Sequence, residues 1–532
     1  MQTTVISPVV LGAACLAMGC AAFAQDDATE LLLQRAGEAL GGLQRIEDIE
    51  NITLYGYGQY AYMFGGGNIT SSPYAPMKWI AANALQRVYD LGNNRFLQQE
   101  HRNSLFPFGS VAMGHSFQLT RLALDGDIAF NIAEDGAAQR VGDTDGGGIR
   151  WIDGSHMRRM WMVNNPVAAV RTALDERSSV SRPRVEDGYP VVDVINASGD
   201  RFAIGFDPYG DLPAWVRWSN PHDNLGEVTF TTHFSGYVAY DGVKLPLGYT
   251  TMIDWRDVAY FSMMVDGYTI DGDIVDLTAP PEVRETPEPI PQAPDVQAEL
   301  VADGVWRLTG ATMVVEFEDH LTLYELGGGR TGAQARLDAA AALVPGKRPT
   351  QLILSHNHFD HISGIRIAVA NGLAIIARRG MDDMLRELAE RPAPNYPDAQ
   401  ALNPQPLKFI PVDDHLRLED SRMTMDIYHV LGHNHMADAL FAFVPESGVL
   451  IEGDLATAAE ELPWWADSYM DNIDHYGLDV KILAPVHSQV MTHEETLQYL
   501  APGRFRVQQR CAEHEARGEY LPGCPAFLPR GD

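Results

Sequence analysis

Three histidines and an aspartate stand within six consecutive positions of this chain: His356, His358, Asp360 and His361. They follow the short apolar run TQLILS, residues 350–355, which predicts a buried strand. In a loop that continues this strand, the alternating residues point to one side and the last histidine points elsewhere. The spacing suits two neighbouring metal ions, one held by the first two histidines and one by the Asp-His pair. Imidazole with carboxylate is a donor set that zinc favours and that iron or manganese also accepts.

The elements around this run predict an α/β domain. From GVWRLTG (304–310) onward, strands alternate with helical stretches such as GAQARLDAAAALV (332–344) and MDDMLRELAER (381–391). In α/β domains the carboxyl ends of strands display ligands and catalytic groups. We therefore expect the histidine cluster at a rigid edge that faces a cleft.

The run His356-x-His358-x-Asp360-His361 resembles the signature of the metallo-β-lactamase superfamily, and VVEFEDHLTLYELGG (314–328) is similar to its opening hairpin. The resemblance implies a four-layer αββα sandwich over residues 295–505. It also implies a hydrolytic site, because flavo-diiron members typically have a glutamate where His358 stands.

The resemblance implies three later ligands. Asp454, in VLIEGDLA, looks like the bridging carboxylate, and His487, in KILAPVHS, looks like the last ligand. For the remaining ligand, LGHNHMADALFAFVP offers both His433 and His435. The family's Gly-His pattern selects His433, whereas the spacing to a following Asp and Pro favours His435. We take His435 as the ligand, which leaves His433 as a supporting or substrate-facing group.

This ligand set implies a zinc-dependent hydrolase. Two zinc ions bridged by Asp454 would lower the pKa of a shared water and give a metal-bridged hydroxide, while Asp360 would orient it and accept its proton. True β-lactamases of the superfamily generally have Cys or Ser where Asp454 stands, so we expect an ester, lactone, thioester or amide substrate. A true β-lactamase, a phosphodiesterase and a mono-iron sulfur dioxygenase of the same fold stay as alternatives.

Aromatic residues follow the bridging aspartate in ELPWWADSYM (461–470), a predicted loop. Trp464, Trp465 and Tyr469 would form an apolar wall for the substrate. The alternative is that these rings pack against the other domain.

The N-terminal half, residues 25–278, predicts a helix followed by antiparallel β structure. TELLLQRAGEALGG (29–42) has helical apolar spacing and ends in two glycines. Later segments, such as 189–197 and 226–255, alternate apolar and polar residues and are broken by Asp-Gly, Tyr-Gly and Pro turns. FDPYGDLPAWVRW and YDGVKLPLGYTT resemble the hairpins of LolA-like periplasmic half-barrels.

That second resemblance implies an alternative function. The protein would be a periplasmic carrier of a lipid or other apolar ligand, with a merely structural metal site. Structural zinc sites are usually closed and rich in cysteine. The predicted ligand cluster contains no cysteine, which favours the hydrolase.

Two further segments bound the domains. Residues 279–294, APPEVRETPEPIPQAP, are rich in proline and predict an extended, semi-rigid linker. Residues 506–532 form a C-terminal tail with Cys511 and Cys524. We expect these cysteines to form a disulfide, and two free buried thiols are the alternative.

Residues 1–24 predict a secretory signal peptide. They carry no Asp, Glu, Lys or Arg, and they end in Ala22-Phe23-Ala24, a small-x-small cleavage pattern. An uncleaved anchor and a lipoprotein modified at Cys20 are alternatives. We therefore expect a periplasmic or secreted protein without stable membrane insertion after cleavage.

The net charge limits the partners. The 71 acidic and 39 basic residues give a formal net charge of -32, which repels nucleic acid backbones and anionic lipid surfaces. With 45% hydrophobic residues the chain is globular. We expect a small-molecule substrate and no nucleic acid partner.

Overall fold

The structure, a computed structural model, covers most of the chain. For residues 118, 463–467 and 498–509 it describes the backbone without the side chains. The predicted signal segment lies outside the described residues and stays a prediction. None of the described helices is long and apolar enough to cross a membrane. The described residues are 28–61, 70–75, 79–102, 118–143, 154–310, 312–433, 436–456 and 463–519.

The described chain opens with helix α1, residues 28–40, where the sequence predicts a helix. The helix stops at Gly41 and Gly42, whose φ angles are 140° and 112°. Glycine reaches such angles without a steric penalty because it has no Cβ atom. A short second helix, α2, covers Leu43–Glu47.

A 14-stranded antiparallel sheet builds the N-terminal half, in the order β6-β5-β4-β3-β2-β1-β14-β13-β12-β11-β10-β9-β7, with β8 paired to β9. This architecture confirms the predicted antiparallel β domain. The resemblance to LolA-like carriers stays a prediction. The strands are Asn51–Ala61 (β1), Trp79–Asp90 (β2), Arg95–Arg102 (β3), Gln118–Asp125 (β4), Ile128–Ile132 (β5), Ala138–Val141 (β6), Ser179–Val180 (β7), Arg184–Glu186 (β8), Tyr189–Ile195 (β9), Arg201–Phe206 (β10), Pro213–His222 (β11), Gly226–Tyr240 (β12), Val243–Ile253 (β13) and Ala259–Ile270 (β14).

Two helices, α3 (Gly154–Val163) and α4 (Pro166–Leu174), pack against this sheet. Asn165 separates them and caps the second. Its side-chain oxygen accepts hydrogen bonds from the backbone N–H groups of Val167 at 2.9 Å and Ala168 at 3.3 Å. Such a cap satisfies N–H groups that have no partner inside the helix.

The first part of the proline-rich segment 279–294 differs from the extended spacer that its composition predicts, whereas residues 287–294 contain no helix or strand. Residues Pro281–Glu285 form a short helix, α5. Val283 and Ala279 are buried, in one apolar cluster with residues of the N-terminal sheet. The apolar residues among the prolines gain more from covering the sheet than from staying in water. The segment still separates the N-terminal sheet from the sheets that follow.

Two further sheets make up the C-terminal half. The first has the order β15-β16-β17-β18-β19-β20-β21, and the second has the order β22 to β27. Their strands are Ala298–Ala302 (β15), Val305–Leu308 (β16), Thr312–Glu316 (β17), Leu321–Tyr324 (β18), Pro349–Ile353 (β19), Ala374–Arg378 (β20), Lys408–Val412 (β21), His415–Glu419 (β22), Thr424–His429 (β23), Leu440–Val444 (β24), Val449–Glu452 (β25), Ile482–Pro485 (β26) and Met491–Thr492 (β27).

These sheets pack face to face between helices, which is the predicted αββα sandwich. In β24, Leu440 and Ala442 belong to the core between the sheets, whereas Phe441 and Phe443 belong to the core under the outer helix. Such alternation follows because successive side chains of a strand point to opposite faces. The helices of this half are Gly329–Leu343 (α6), Ile365–Ala370 (α7), Asp382–Glu390 (α8), Ala399–Leu402 (α9), Pro463–Tyr476 (α10) and His493–Ala516 (α11).

Candidate metal centre

The candidate ligands follow strands whose carboxyl ends meet. Strands β18 and β19 run parallel, as do β25 and β26. The loop 356–361 follows β19, Asp454 follows β25 and His487 follows β26. The two sheets are joined beside this loop, where the backbone N–H of Leu440 donates to the carbonyl oxygen of Ser355 at 2.7 Å.

His356, His358 and Asp454 form a first triad. One potential ligand atom from each lies within 4.8 Å of the others. All three residues are buried, and the two imidazole centroids are 4.2 Å apart. The sequence predicts that both histidines hold one metal, and the structure brings them together with the carboxylate.

Asp360, His361 and His487 form a second triad, again with one potential ligand atom from each within 4.8 Å of the others. His361 Nε2 lies 3.2 Å from Asp360 Oδ2 and 3.0 Å from His487 Nε2. His361 is buried, whereas the His487 side chain is 43% exposed. The second triad therefore opens towards solvent.

Asp454 lies between the two triads. Its Oδ2 is 3.6 Å from His356 Nε2. Its Oδ1 is 3.3 Å from both His361 Nε2 and His487 Nε2. A carboxylate placed in this way presents one oxygen to each group of imidazoles.

Two side chains orient these imidazoles from behind. The carboxylate of Glu325 accepts a hydrogen bond from His361 Nδ1 at 2.8 Å, and Ser355 Oγ lies 2.8 Å from His356 Nδ1. Such partners fix the ring and direct the other nitrogen towards a ligand. Neither side chain is predicted from the sequence. The signal that the sequence offers for Glu325 is its place near the end of the hairpin predicted over residues 314–328.

A buried glutamate shapes the turn that carries Asp454. Glu452 Oε2 accepts hydrogen bonds from the backbone N–H groups of Leu455 at 2.7 Å and Ala456 at 3.2 Å. Burial raises the pKa of Glu452 to about 8, although these hydrogen bonds act in the opposite direction. This residue was also missed, because a lone glutamate at a strand end carries no motif.

The electrostatic environment of the centre is acidic. Burial raises the pKa of Asp360, but the neighbouring His361 and the hydrogen bond from His487 together hold that pKa below its ordinary value. Burial lowers the pKa of His361, but Asp360, Glu325 and Asp454 together raise it well above the ordinary value. Carboxylates concentrated in this way favour positive charge at the imidazoles, whether it comes from protons or from metal ions.

The donor set fits divalent cations. Both triads combine imidazole nitrogen with carboxylate oxygen, which suits zinc, iron or manganese. Asp360 Oδ1 is buried and makes no hydrogen bond to any residue that the structure describes. Buried oxygens of this kind are normally satisfied, and a cation between the ligands would satisfy it.

The other predicted site residues are placed less completely. His433 is half-buried, and the metal-competent groups of described residues do not include it. His435 lies outside the described residues, as do the side chains of Trp464 and Trp465. The choice between the two histidines therefore stays a prediction.

Tyr469 does not form a substrate wall. The stretch predicted as a loop is helical from Pro463. Tyr469 is fully buried against the second sheet, and its hydroxyl lies 3.1 Å from His493 Nδ1. The ring points inward because an aromatic side chain on the inner face of a helix gains more from packing than from solvent.

A cavity of about 370 Å³ adjoins the second triad. Its lining includes Asp360, His487, Arg307 and Gly310. A volume of this order accommodates a small organic molecule.

Cys511 is buried, but Cys524 lies outside the described residues. The disulfide between them therefore stays a prediction.

Part of the C-terminal half is similar to a known family. Residues 305–487 match the family model of the metallo-beta-lactamase superfamily. No curated protein matches the chain.

Three solved structures illustrate the similarity. DIM-1 metallo-beta-lactamase exposed to ceftazidime is 13% identical, with a TM-score of 0.32 over 41% of this chain and 100% of that one. The metallo-beta-lactamase from Pontibacter korlensis is 13% identical, with a TM-score of 0.31 over 39% of this chain and 98% of that one. FIM-1 from Pseudomonas aeruginosa, in the mono-zinc form, is 16% identical, with a TM-score of 0.30 over 40% of this chain and 96% of that one.

Proposed function

We propose that the protein is a hydrolase that holds two zinc ions, because residues 305–487 match the family model of the metallo-beta-lactamase superfamily. The match to this superfamily supports a metal-dependent hydrolase in general. We also propose the number and identity of the metals, their ligands and the type of bond that is hydrolysed. The ligands are His356, His358, Asp360, His361, His435, Asp454 and His487.

The position of Asp454 carries this proposal. Its two oxygens face different triads, at 3.6 Å from His356 Nε2 and 3.3 Å from His361 Nε2. A carboxylate that contacts two cations offsets their mutual repulsion and keeps them close enough to act on one substrate. A single structural zinc ion would need neither the second triad nor a carboxylate between the two.

Two bound cations would polarise the substrate and supply a water that is deprotonated near neutral pH. Asp360 is placed to accept a proton, because its side chain is 25% exposed at the edge of the cavity. Glu325 and Ser355 hold the imidazoles in fixed orientations. The solvent-facing His487 marks the side on which the substrate enters.

We further propose an ester, lactone, thioester or amide bond as the target. Asp454 stands where true β-lactamases of the superfamily generally have Cys or Ser, which disfavours a β-lactam. The neighbouring cavity, about 370 Å³, suits a small molecule. The apolar segment before Gln25 favours action in the periplasm or outside the cell.

A combined metal and substrate analysis tests the function. Purified full-length protein is loaded with zinc, its metal content is measured, and a panel of ester, lactone, thioester, amide, phosphodiester and β-lactam substrates is assayed. We expect two zinc ions per chain and turnover of a carbonyl substrate other than a β-lactam. A zinc-loaded protein that turns over none of these classes would favour the carrier. Preferred turnover of β-lactams or phosphodiesters would refute the substrate assignment.

A further inference from the structure

The two halves of the molecule meet beside the proposed ligand loop. The turn between β11 and β12, residues 222–227, reaches from the N-terminal sheet into the C-terminal half. We call it the clamp turn. Arg330 at the start of α6 holds one side of it, since its backbone N–H donates to Asp223 Oδ1 at 3.1 Å. On the other side Glu227 accepts hydrogen bonds from the backbone N–H and the side-chain amide of Asn395, at 2.8 and 2.6 Å.

One residue of the clamp turn contacts the ligand loop directly. Asn224 Nδ2 donates to the carbonyl oxygen of Phe359 at 3.0 Å, and both residues are buried. Phe359 stands between the proposed ligands His358 and Asp360. Its carbonyl belongs to the peptide unit that leads into Asp360, so the hydrogen bond fixes the orientation of that peptide.

The Phe359 ring is held by the N-terminal half as well. The His222 ring centroid lies 5.5 Å away at 76°, and the Trp255 ring centroid lies 5.3 Å away at 48°. These are normal separations for packed aromatic rings. Both the backbone and the side chain of Phe359 are therefore immobilised by residues that lie more than 100 positions earlier in the chain.

The clamp turn is itself rigid. His222 Nδ1 accepts hydrogen bonds from the backbone N–H groups of Asn224 and Leu225, both at 3.2 Å. Burial, and then the charges of Arg330 and Arg391, lower the pKa of His222 to about 3. The imidazole is therefore neutral at physiological pH, as an acceptor nitrogen must be.

We infer that Asn224 is a positioning residue of the metal centre, and that the N-terminal half completes this centre rather than acting as a separate module. The inference rests on the proposed function, because it takes His358 and Asp360 as ligands. Metal affinity depends on how closely the free ligands already match their bound geometry. A loop that loses its anchor at Phe359 must be reordered each time a cation binds.

The test compares the full-length wild type with Asn224→Ala and a matched control, Asp254→Asn. Asp254 pairs with Arg391 across the same interface at 2.9 Å, and its carboxylate accepts a hydrogen bond from the backbone N–H of Thr229 at 3.0 Å. Zinc affinity is measured by competition with a chelator, and interface integrity by limited proteolysis. We expect Asn224→Ala to weaken zinc binding by about tenfold or more, and Asp254→Asn to leave it within about twofold of the wild type.

A folded Asn224→Ala protein that binds zinc as tightly as the wild type would overturn the inference. If Asn224→Ala does not fold, Phe359→Leu decides. It keeps the backbone carbonyl but removes the ring between His222 and Trp255, and we expect weaker zinc binding. Unchanged affinity there would likewise overturn the inference. A wild type that binds no zinc would instead refute the proposed function, so the two failures can be distinguished.

Discussion

The two oxygens of Asp454 face different imidazoles, with Oδ2 towards His356 and Oδ1 towards His361 and His487. For this side chain, charge matters more than shape. An amide has nearly the same outline as a carboxylate, but it carries no negative charge to stabilise two dications. The residue is also buried, so solvent contributes little screening.

Asp454→Asn should therefore weaken metal retention and reduce turnover by orders of magnitude while leaving the fold intact. Metal content after dialysis, kcat and far-UV circular dichroism measure the three effects. Asp479→Asn is the matched control, because that side chain is 90% exposed and pairs with Lys481 rather than with a proposed ligand. Unchanged metal content and rate in Asp454→Asn would contradict the bridging role.

A second prediction concerns the two neighbouring histidines, His433 and His435. If His435 is the ligand, His435→Ala loses metal, because an alanine leaves one cation with an incomplete set of donors. His433→Ala should keep its metal and alter only substrate kinetics. Metal analysis of both purified variants checks this, and the reverse pattern would assign the ligand to His433.

The ends of three strands position the proposed ligands. These strands could be predicted from the sequence. The apolar runs before His356, Asp454 and His487 predict strands, and the structure has β19, β25 and β26 there. Glu325 was missed because it is brought to His361 by the parallel pairing of β18 with β19, 36 positions away in sequence. Pairing of this kind leaves no local pattern.

The N-terminal strands show a second limit on what the sequence can predict. Strand β2 was not predicted, because a register shift between Asn83 and Gln86 interrupts the alternation of buried and exposed positions. Ala84 adopts a φ of 47° at this bulge. A bulge adds a residue to one strand and moves the following side chains to the opposite face. The same segment therefore has neither a clear period of two nor a helical period.

A further prediction concerns the substitution Glu325→Gln, directly after strand β18. The substitution keeps the size of the side chain but removes the charge that His361 Nδ1 faces at 2.8 Å. Outer residues of this kind typically contribute about 10- to 100-fold to metal affinity or activity, so we expect a loss in that range.

Zinc competition measures this effect. Glu318→Gln, an exposed position in the neighbouring hairpin, serves as the control. Equal affinities in the two variants would show that the carboxylate of Glu325 does not support the ligand.

At the scale of the molecule, the two halves share one core. Leu225 and Trp255 of the N-terminal half belong to the same apolar cluster as Phe359 and Ile362 of the C-terminal half. Ion pairs surround this contact, including Arg256 with Glu387 at 2.9 Å. Partly exposed pairs contribute little, roughly 0–1 kcal/mol each, so the shared apolar core is what couples the halves.

The whole protein should therefore unfold in one cooperative transition, since neither half can lose its structure without exposing the shared core. Differential scanning calorimetry of the full chain checks this. Asp254→Asn should shift the midpoint slightly without splitting the transition. Two well-separated transitions would contradict the coupling.

Anomalous diffraction from crystals of the zinc-loaded protein, recorded at the zinc absorption edge, tests the central claim most directly. We expect two peaks, one among His356, His358 and Asp454 and one among Asp360, His361 and His487, with Asp454 between them. A single peak at full zinc loading, or peaks away from these residues, would contradict the proposed two-metal centre.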